Sequence, residues 1–404
     1  MNIFDLLHEP IQLTPPIRMF SAFSGIGTQE MALKRITSDY EIVGYSEIDK
    51  YAIKSYHAIH GDVKAYGDIT KITEIPPCDI FTWSFPCTDL SKAGKQKGMG
   101  KDTRSGLAYE VLRLVEASKD KPKVLIMENV PDLIQEKFVR QFGEIQLELE
   151  KLGYMNYVET LNAKNYGVAQ NRNRVFMVSV LGDYSYSFPN WVKLEKRLKD
   201  YLEDEVDEKY YLSAKQLESI INPKYESMGI DRVNDVDDVC NAITTIQGGN
   251  REPKVFIPET LCINSKDGDG VYINRPHQKR GCVQDGMIQT LKTQCDDVGV
   301  VVDKYSDYSK KKIIGNIVNE NDVVGVITAN AMQSFNHDNC HMIEQNLKIR
   351  KLTPIECFRL MGISDDDFYK AQAVNSNSQL YKQAGNAIVV DVFEAILRKM
   401  IKEK

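Results

Sequence analysis

Short apolar runs alternate with stretches of helical period through the first ~180 residues, and this alternation constrains the fold most. Arg18–Phe23, Glu41–Tyr45, Asp79–Ser84, Lys123–Asn129, Tyr157–Ala163 and Arg174–Leu181 read as strands. Between them Thr28–Arg35, Tyr51–Ile59, Ser105–Ser118 and Phe138–Leu152 read as helices. In Phe138–Leu152 the apolar positions Phe138, Phe142, Ile145, Leu149 and Leu152 recur every three or four residues, which marks one helical face. Strands separated by helices predict a mostly parallel sheet of α/β class.

The pattern changes near Pro189. From residue 190 to 345 the chain is rich in Asn, Asp, Gly, Val and Ile, with turn signals such as Asp267-Gly268-Asp269-Gly270. This stretch reads as a second, β-rich and loop-rich domain. Helical pattern returns after Lys348, where Thr353-Pro354-Ile355-Glu356 forms a capping box with Pro at the first helical position. Ile388–Lys402 reads as a closing amphipathic helix. The expected division is therefore one domain from 1–189 and 346–404, with 190–345 inserted. The two chain ends should meet.

Composition narrows the class. With 42% hydrophobic and 27% charged residues the chain is ordinary globular protein rather than a disordered one. The longest apolar stretches, such as Val323–Ile327, fall far short of the ~20 residues a membrane span needs. Met1–Phe20 carries acids and prolines, unlike a signal peptide. Eight cysteines without a C-x-x-C pair argue against a zinc ribbon or a disulfide scaffold, so no metal site is expected and a reducing cytoplasm is the expected compartment. The net charge of -6 argues against nucleic acid only on average, since a local basic patch is what matters. Ser91–Lys101 and Val271–Cys282 are two such patches, each free of acids.

Chemistry concentrates at strand ends. Phe23-Ser24-Gly25-Ile26-Gly27 lies where the first strand turns into the first helix, and its glycines allow close backbone approach to a ligand. Glu47 ends the second strand, where a carboxylate can bind ribose hydroxyls, and Asp68 follows a third segment. These residues fit a nicotinamide, flavin or S-adenosylmethionine site, or a purely structural turn. Phe85-Pro86-Cys87 follows the strand ending at Ser84 and leads into a Lys- and Gly-rich stretch. A lone cysteine is usually a small buried hydrophobe, but nearby positive charge favours the nucleophilic thiolate. Glu128 ends the fourth strand, either as an acid of the site or as a helix cap. In Gln170-Asn171-Arg172-Asn173-Arg174 alternate residues share a face, so Gln170, Arg172 and Arg174 should point together.

Taken in order, these motifs and Gly385-Asn386 near the C-terminus resemble those of the DNA (cytosine-5)-methyltransferases, over roughly residues 18–182 and 348–400. The resemblance implies a Rossmann-like S-adenosylmethionine-dependent domain with an inserted target-recognition domain. It implies that the Cys87 thiolate adds to cytosine C6 so that C5 becomes nucleophilic, that Glu128 supplies a proton or hydrogen bond at N3, and that Arg172 and Arg174 stand near the base and its phosphate. It also implies a cofactor site of Phe23, Gly25, Ile26, Gly27, Glu47, Asp68, Pro86, Leu107 and Asn386. Ser91, Lys92, Lys95, Gln170, Arg251, Arg275, Lys279 and Arg280 are the expected contacts to double-stranded DNA.

The sequence departs modestly from the family pattern. Thr28 stands where many members have a third glycine, and Thr88-Asp89 replaces a frequent Gln after Pro86-Cys87. Arg104-Ser105-Gly106-Leu107 is a variant of an Arg-Gly element, on which the placement of Leu107 depends. A close branch of the family acts on transfer RNA, but its variable region is shorter than the one here, which favours duplex DNA. A DNA-binding protein without catalysis is opposed by the intact Cys87, Glu128, Arg172 and Arg174. A nicotinamide-dependent oxidoreductase leaves Cys87 and the arginines unexplained. The expected protein is a monomer, and the family sometimes works beside a cognate restriction endonuclease.

Overall fold

The computed structural model describes residues 8–86, 104–213, 216, 233–245, 252–258, 270–272, 283–284, 298–300 and 347–402. It divides into two compact units. The first comprises residues 1–204, 237–252 and 352–404, and the second 205–236 and 253–351. This division differs from the one read at Pro189: residues 190–204 and 237–252 join the first unit. Leu198 N–H donates to the Asp238 carbonyl and the Ala169 N–H donates to Tyr201 Oη, so the chain beyond Pro189 is bonded into that unit.

All six strands expected from the apolar runs form one sheet. They are β1 (Ile17–Ala22), β2 (Tyr40–Ser46), β3 (Ile80–Trp83), β4 (Val124–Asn129), β5 (Tyr154–Asn162) and β6 (Asn173–Leu181). Their order is β2-β1-β3-β4-β6-β5. The first four run parallel to one another, and β6 runs antiparallel to both β4 and β5. Every residue of β3 and β4 is buried, as expected for central strands covered on both faces.

The expected helices follow as α1 (Thr28–Ile36), α2 (Lys50–His60), α3 (Ala108–Ala117) and α4 (Val139–Lys151). In α4 the buried residues are Phe142, Ile145 and Leu149, the apolar face of the sequence pattern. After the insertion come α5 (Pro354–Arg359), α6 (Asp365–Gln372), α7 (Asn377–Asn386) and α8 (Val390–Arg398). Thr353 caps α5 in a reciprocal box with Glu356. The two ends of the chain meet: Leu13 N–H donates to the Met400 carbonyl and Lys402 N–H to the Leu13 carbonyl. Arg35 of α1 bridges to Glu394 of α8 at 3.1 Å, so the closing helix packs on the first. No helix among the described residues is long and apolar enough to cross a membrane.

The second unit is described by strands from two three-stranded sheets. Lys254–Pro258 lies between Val233–Asn234 and Leu347–Lys351, and Gly270–Tyr272 lies between Val283–Gln284 and Val298–Val300.

Candidate active site

Three strands of the sheet end at one edge. β1 turns through Phe23–Gly27 into α1, β3 runs out through Ser84 to Pro86, and β4 finishes at Glu128 and Asn129. Such an edge is where open α/β sheets place ligands.

Glu128 is the best-held group there. It is buried, and both carboxyl oxygens are engaged: Ser84 Oγ donates to Oε2 at 2.7 Å, and Arg174 Nε lies 3.0 Å from Oε1. Asn129 links the neighbouring strand ends, because its Nδ2 donates to the Phe85 carbonyl at 3.1 Å while its Oδ1 accepts from Val130 N–H. Pro86, the next residue after Phe85, is partly exposed. Cys87, Ser91, Lys92, Lys95, Arg251, Arg275, Lys279 and Arg280 lie outside the described residues.

Gln170, Arg172 and Arg174 do share one face, between exposed Asn171 and Asn173. Two of the three have other work, however. Gln170 is fully buried, its amide nitrogen donating to the Leu360 carbonyl at 2.7 Å and its oxygen accepting from Ile243 N–H at 3.1 Å. The expectation that Gln170 contacts DNA is therefore corrected: both ends of its amide are bonded to backbone inside the unit. Arg172 is 3% exposed and donates to the carbonyls of Ile243, Gly385 and Ala387 at 2.7, 2.9 and 3.0 Å. The sequence reading of Arg172 as a catalytic group is corrected likewise. It fastens the 243 and 385–387 segments to the start of β6, and Arg174 alone reaches Glu128.

Gly385 belongs to the same junction. A Cβ there would stand 2.3 Å from the Thr244 carbonyl oxygen and 2.5 Å from Thr245 N, both backbone atoms that cannot swing aside. We expect Gly385→Ala to destabilise the protein by about 3 kcal/mol through overpacking, and to lower its thermal midpoint by about 5–10 °C. Thermal denaturation followed by circular dichroism checks this, and an unchanged midpoint contradicts it.

The other half of the edge is the β1–α1 turn. Phe23, Gly25 and Gly27 take left-handed φ values of 56°, 58° and 80°. Phe23 is the one non-glycine residue with positive φ among the described residues, a strain that clusters at functional turns. A Cβ on Gly27 would sit 2.3 Å from His60 Nε2 and 2.8 Å from Tyr56 Cε2, so only glycine fits against α2. Glu47, just beyond β2, receives Gly25 N–H on Oε2 at 3.0 Å and the N–H groups of Ile48 and Asp49 on Oε1 at 2.7 and 2.8 Å. Asp68 caps a short turn, accepting from Thr70 N–H and Oγ1, and the first of these bonds holds its carboxyl below the usual range. Ser46 Oγ donates to the Gly67 carbonyl at 2.7 Å and so sets Asp68 beside the end of β2.

The remaining cofactor residues scatter around this turn. Ile26 is buried, Leu107 packs against the apolar cluster containing Trp83 and Phe85, and Asn386 is exposed at the end of α7 between the carbonyls Arg172 holds. Two features fit a bound nucleoside-bearing cofactor. The Ser24 hydroxyl is buried in the turn without a partner among the described residues, and apart from its chain neighbours no described atom lies within 4 Å of where a Cβ on Gly25 would be. Sequence reasoning missed Ser84, the side chain of Asn129, and the Lys34–His60 pair behind the turn. Ser84 was legible only as the last residue of a strand, and the others carried no signal of their own.

The chain matches the C-5 cytosine-specific DNA methylase family across residues 17–402. It is 30% identical to the orphan methyltransferase M.SPBetaI of Bacillus phage SPbeta, over 95% of this chain and 97% of that protein. It is 28% identical to the type II methyltransferase M2.ScrFI of Lactococcus lactis subsp. cremoris, over 96% of this chain and all of that protein. Among solved structures, the Entamoeba histolytica methyltransferase EhMeth shares its fold with a TM-score of 0.61 at 16% identity, over 95% of this chain and 97% of that one. With the family matched almost end to end, the chain belongs to the C-5 cytosine-specific DNA methylases and is a DNA cytosine methyltransferase.

Proposed function

We propose that the protein methylates C5 of a cytosine flipped out of duplex DNA, through a covalent adduct between Cys87 and C6. The observation that carries this reading is Glu128, buried at the sheet edge with Ser84 and Arg174 on its two oxygens, beside the Phe85–Pro86 segment that leads into Cys87. A cytosine stacked in a duplex cannot reach such a group, so the base must leave the stack.

In this account the Cys87 thiolate forms an S–C6 bond, and the C5–C6 π electrons shift to make C5 nucleophilic. Glu128 supplies a proton or hydrogen bond at N3, which stabilises the negative charge that addition places on the ring. Arg174 offers its positive charge to the base O2, and Arg172 acts as a positioning residue by fixing the strand that carries Arg174. Once C5 bears the methyl group, its proton passes to water, the C5–H electron pair re-forms the C5–C6 double bond as the S–C6 bond breaks and the thiolate leaves, and any proton at N3 returns to Glu128. S-adenosylmethionine, when bound, supplies the electrophilic methyl carbon. The residues that would hold it are the Phe23–Gly27 turn, Glu47 and Asp68, with Pro86, Leu107 and Asn386 around them. The second unit, Ser91 and the basic residues Lys92, Lys95, Arg251, Arg275, Lys279 and Arg280 are assigned to holding and reading the duplex.

A duplex of mixed sequence carrying 5-fluorocytosine tests the covalent step. Fluorine on C5 leaves no proton to remove, so the adduct persists. We expect a protein–DNA species stable to boiling in detergent that forms only when S-adenosylmethionine is present. Absence of any such species, under conditions where ordinary duplex is methylated, contradicts the covalent route.

A further inference from the structure

We propose that His60, held by Lys34, is a positioning residue for the cofactor turn, fixing the Ile26 carbonyl and thereby the shape in which Phe23–Gly27 receives S-adenosylmethionine. This rests on the reading of that turn as the cofactor site.

The hydrogen-bond chain has one possible sense. Lys34 Nζ, in the last turn of α1, lies 2.8 Å from His60 Nδ1. An ammonium can only donate, so Nδ1 accepts. The ring hydrogen must then be on Nε2, which lies 3.0 Å from the Ile26 carbonyl oxygen, a group that can only accept. The lysine thus selects the tautomer that grips the turn. Burial, reinforced by the Lys34 charge, pushes the His60 pKa down to about 3, so the ring is neutral at neutral pH.

The ring is also kept from rotating. It packs on Tyr56 with centroids 4.5 Å apart, and Tyr56 in turn stacks on Tyr45 at 3.9 Å. Tyr56 Oη donates to Glu30 Oε1 at 2.9 Å, deep under α1. Glu47 Oε2 also holds the Gly25 N–H at 3.0 Å. Two adjacent residues, Gly25 and Ile26, are therefore held by side chains from outside the turn, Glu47 just beyond β2 and His60 at the end of α2. Within the turn Gly27 N–H donates to the Ser24 carbonyl at 3.0 Å, and the side-chain anchors add to that bond in fixing a segment with three left-handed residues in five.

The test is titration calorimetry of the full-length protein with S-adenosylhomocysteine, comparing wild type, His60→Leu, His60→Gln, Lys34→Met and Glu47→Ala, each with a thermal transition measured alongside. Gln keeps an amide N–H for Ile26 and an amide oxygen for Lys34, whereas Leu keeps neither. We expect His60→Leu to weaken binding about tenfold, Lys34→Met about threefold, and His60→Gln to recover to within about threefold of wild type. In steady-state assays the KM for S-adenosylmethionine should rise with kcat within about twofold, the mark of lost ground-state binding. If His60→Leu does not fold, Lys34→Met against wild type decides, because it leaves the ring and removes only its donor. Wild-type affinity in His60→Leu (or in Lys34→Met, should the former be unfolded) overturns the proposal. So does equal weakness of the Leu and Gln variants with native thermal transitions. If wild type binds no S-adenosylhomocysteine, or Glu47→Ala binds it as wild type does, the cofactor reading itself falls.

Discussion

Cys87→Ala is expected to abolish methyl transfer, a loss of about 10⁴-fold or more, while S-adenosylhomocysteine still binds. Without a nucleophile at C6, cytosine C5 is too electron-poor to attack a methyl sulfonium, so no slower parallel route of comparable rate exists. Nor can another described thiol take over. Cys78, Cys240 and Cys357 are all buried, and burial pushes the first two up to about 12 and the third well above the ordinary thiol value. A group in that state carries almost no thiolate at neutral pH. The cofactor turn is anchored by Glu47 and His60, so it should be untouched. The assay is incorporation of labelled methyl groups into mixed-sequence duplex. Residual activity within about a hundredfold of wild type removes Cys87 from the central role.

Glu128→Gln is expected to lower the rate by about 10²–10⁴-fold, the usual range for loss of a positioned acid. The substitution keeps the shape and an N–H donor but cannot transfer a proton. It also leaves the Arg174 guanidinium, whose side chain is 21% exposed, without the carboxylate 3.0 Å away. A half-buried cation without its counter-charge costs stability as well, so a small fall in thermal midpoint should accompany the kinetic loss. Separating the two is straightforward: the rate should fall far below what the folded fraction explains. A rate within about fivefold of wild type contradicts the role given to Glu128.

The sheet and its helices were legible because their signal is local. Phe142, Ile145 and Leu149 announce the buried face of α4 within one helix, and the apolar run of β4 announces a central strand. The positions of Glu47 and Glu128 at strand ends followed from the same runs. What could not be read was the destination of a side chain whose partner is remote in sequence. The alternation that turns Gln170, Arg172 and Arg174 to one side was visible, yet Arg172 meets carbonyls 71, 213 and 215 residues away. No periodicity encodes that. The same holds for Lys34 and His60, 26 residues apart on different helices. The compact unit continues past the shift in composition at Pro189, because Leu198 and Tyr201 bond to Asp238 and Ala169, contacts that composition does not encode.

The most direct test of the account is methyl transfer from labelled S-adenosylmethionine to mixed-sequence duplex DNA and, separately, to total RNA, followed by digestion and identification of the labelled nucleoside. Label is expected in 5-methyldeoxycytidine from DNA, with none above background in RNA. Label in another deoxynucleoside, or in RNA alone, would contradict it.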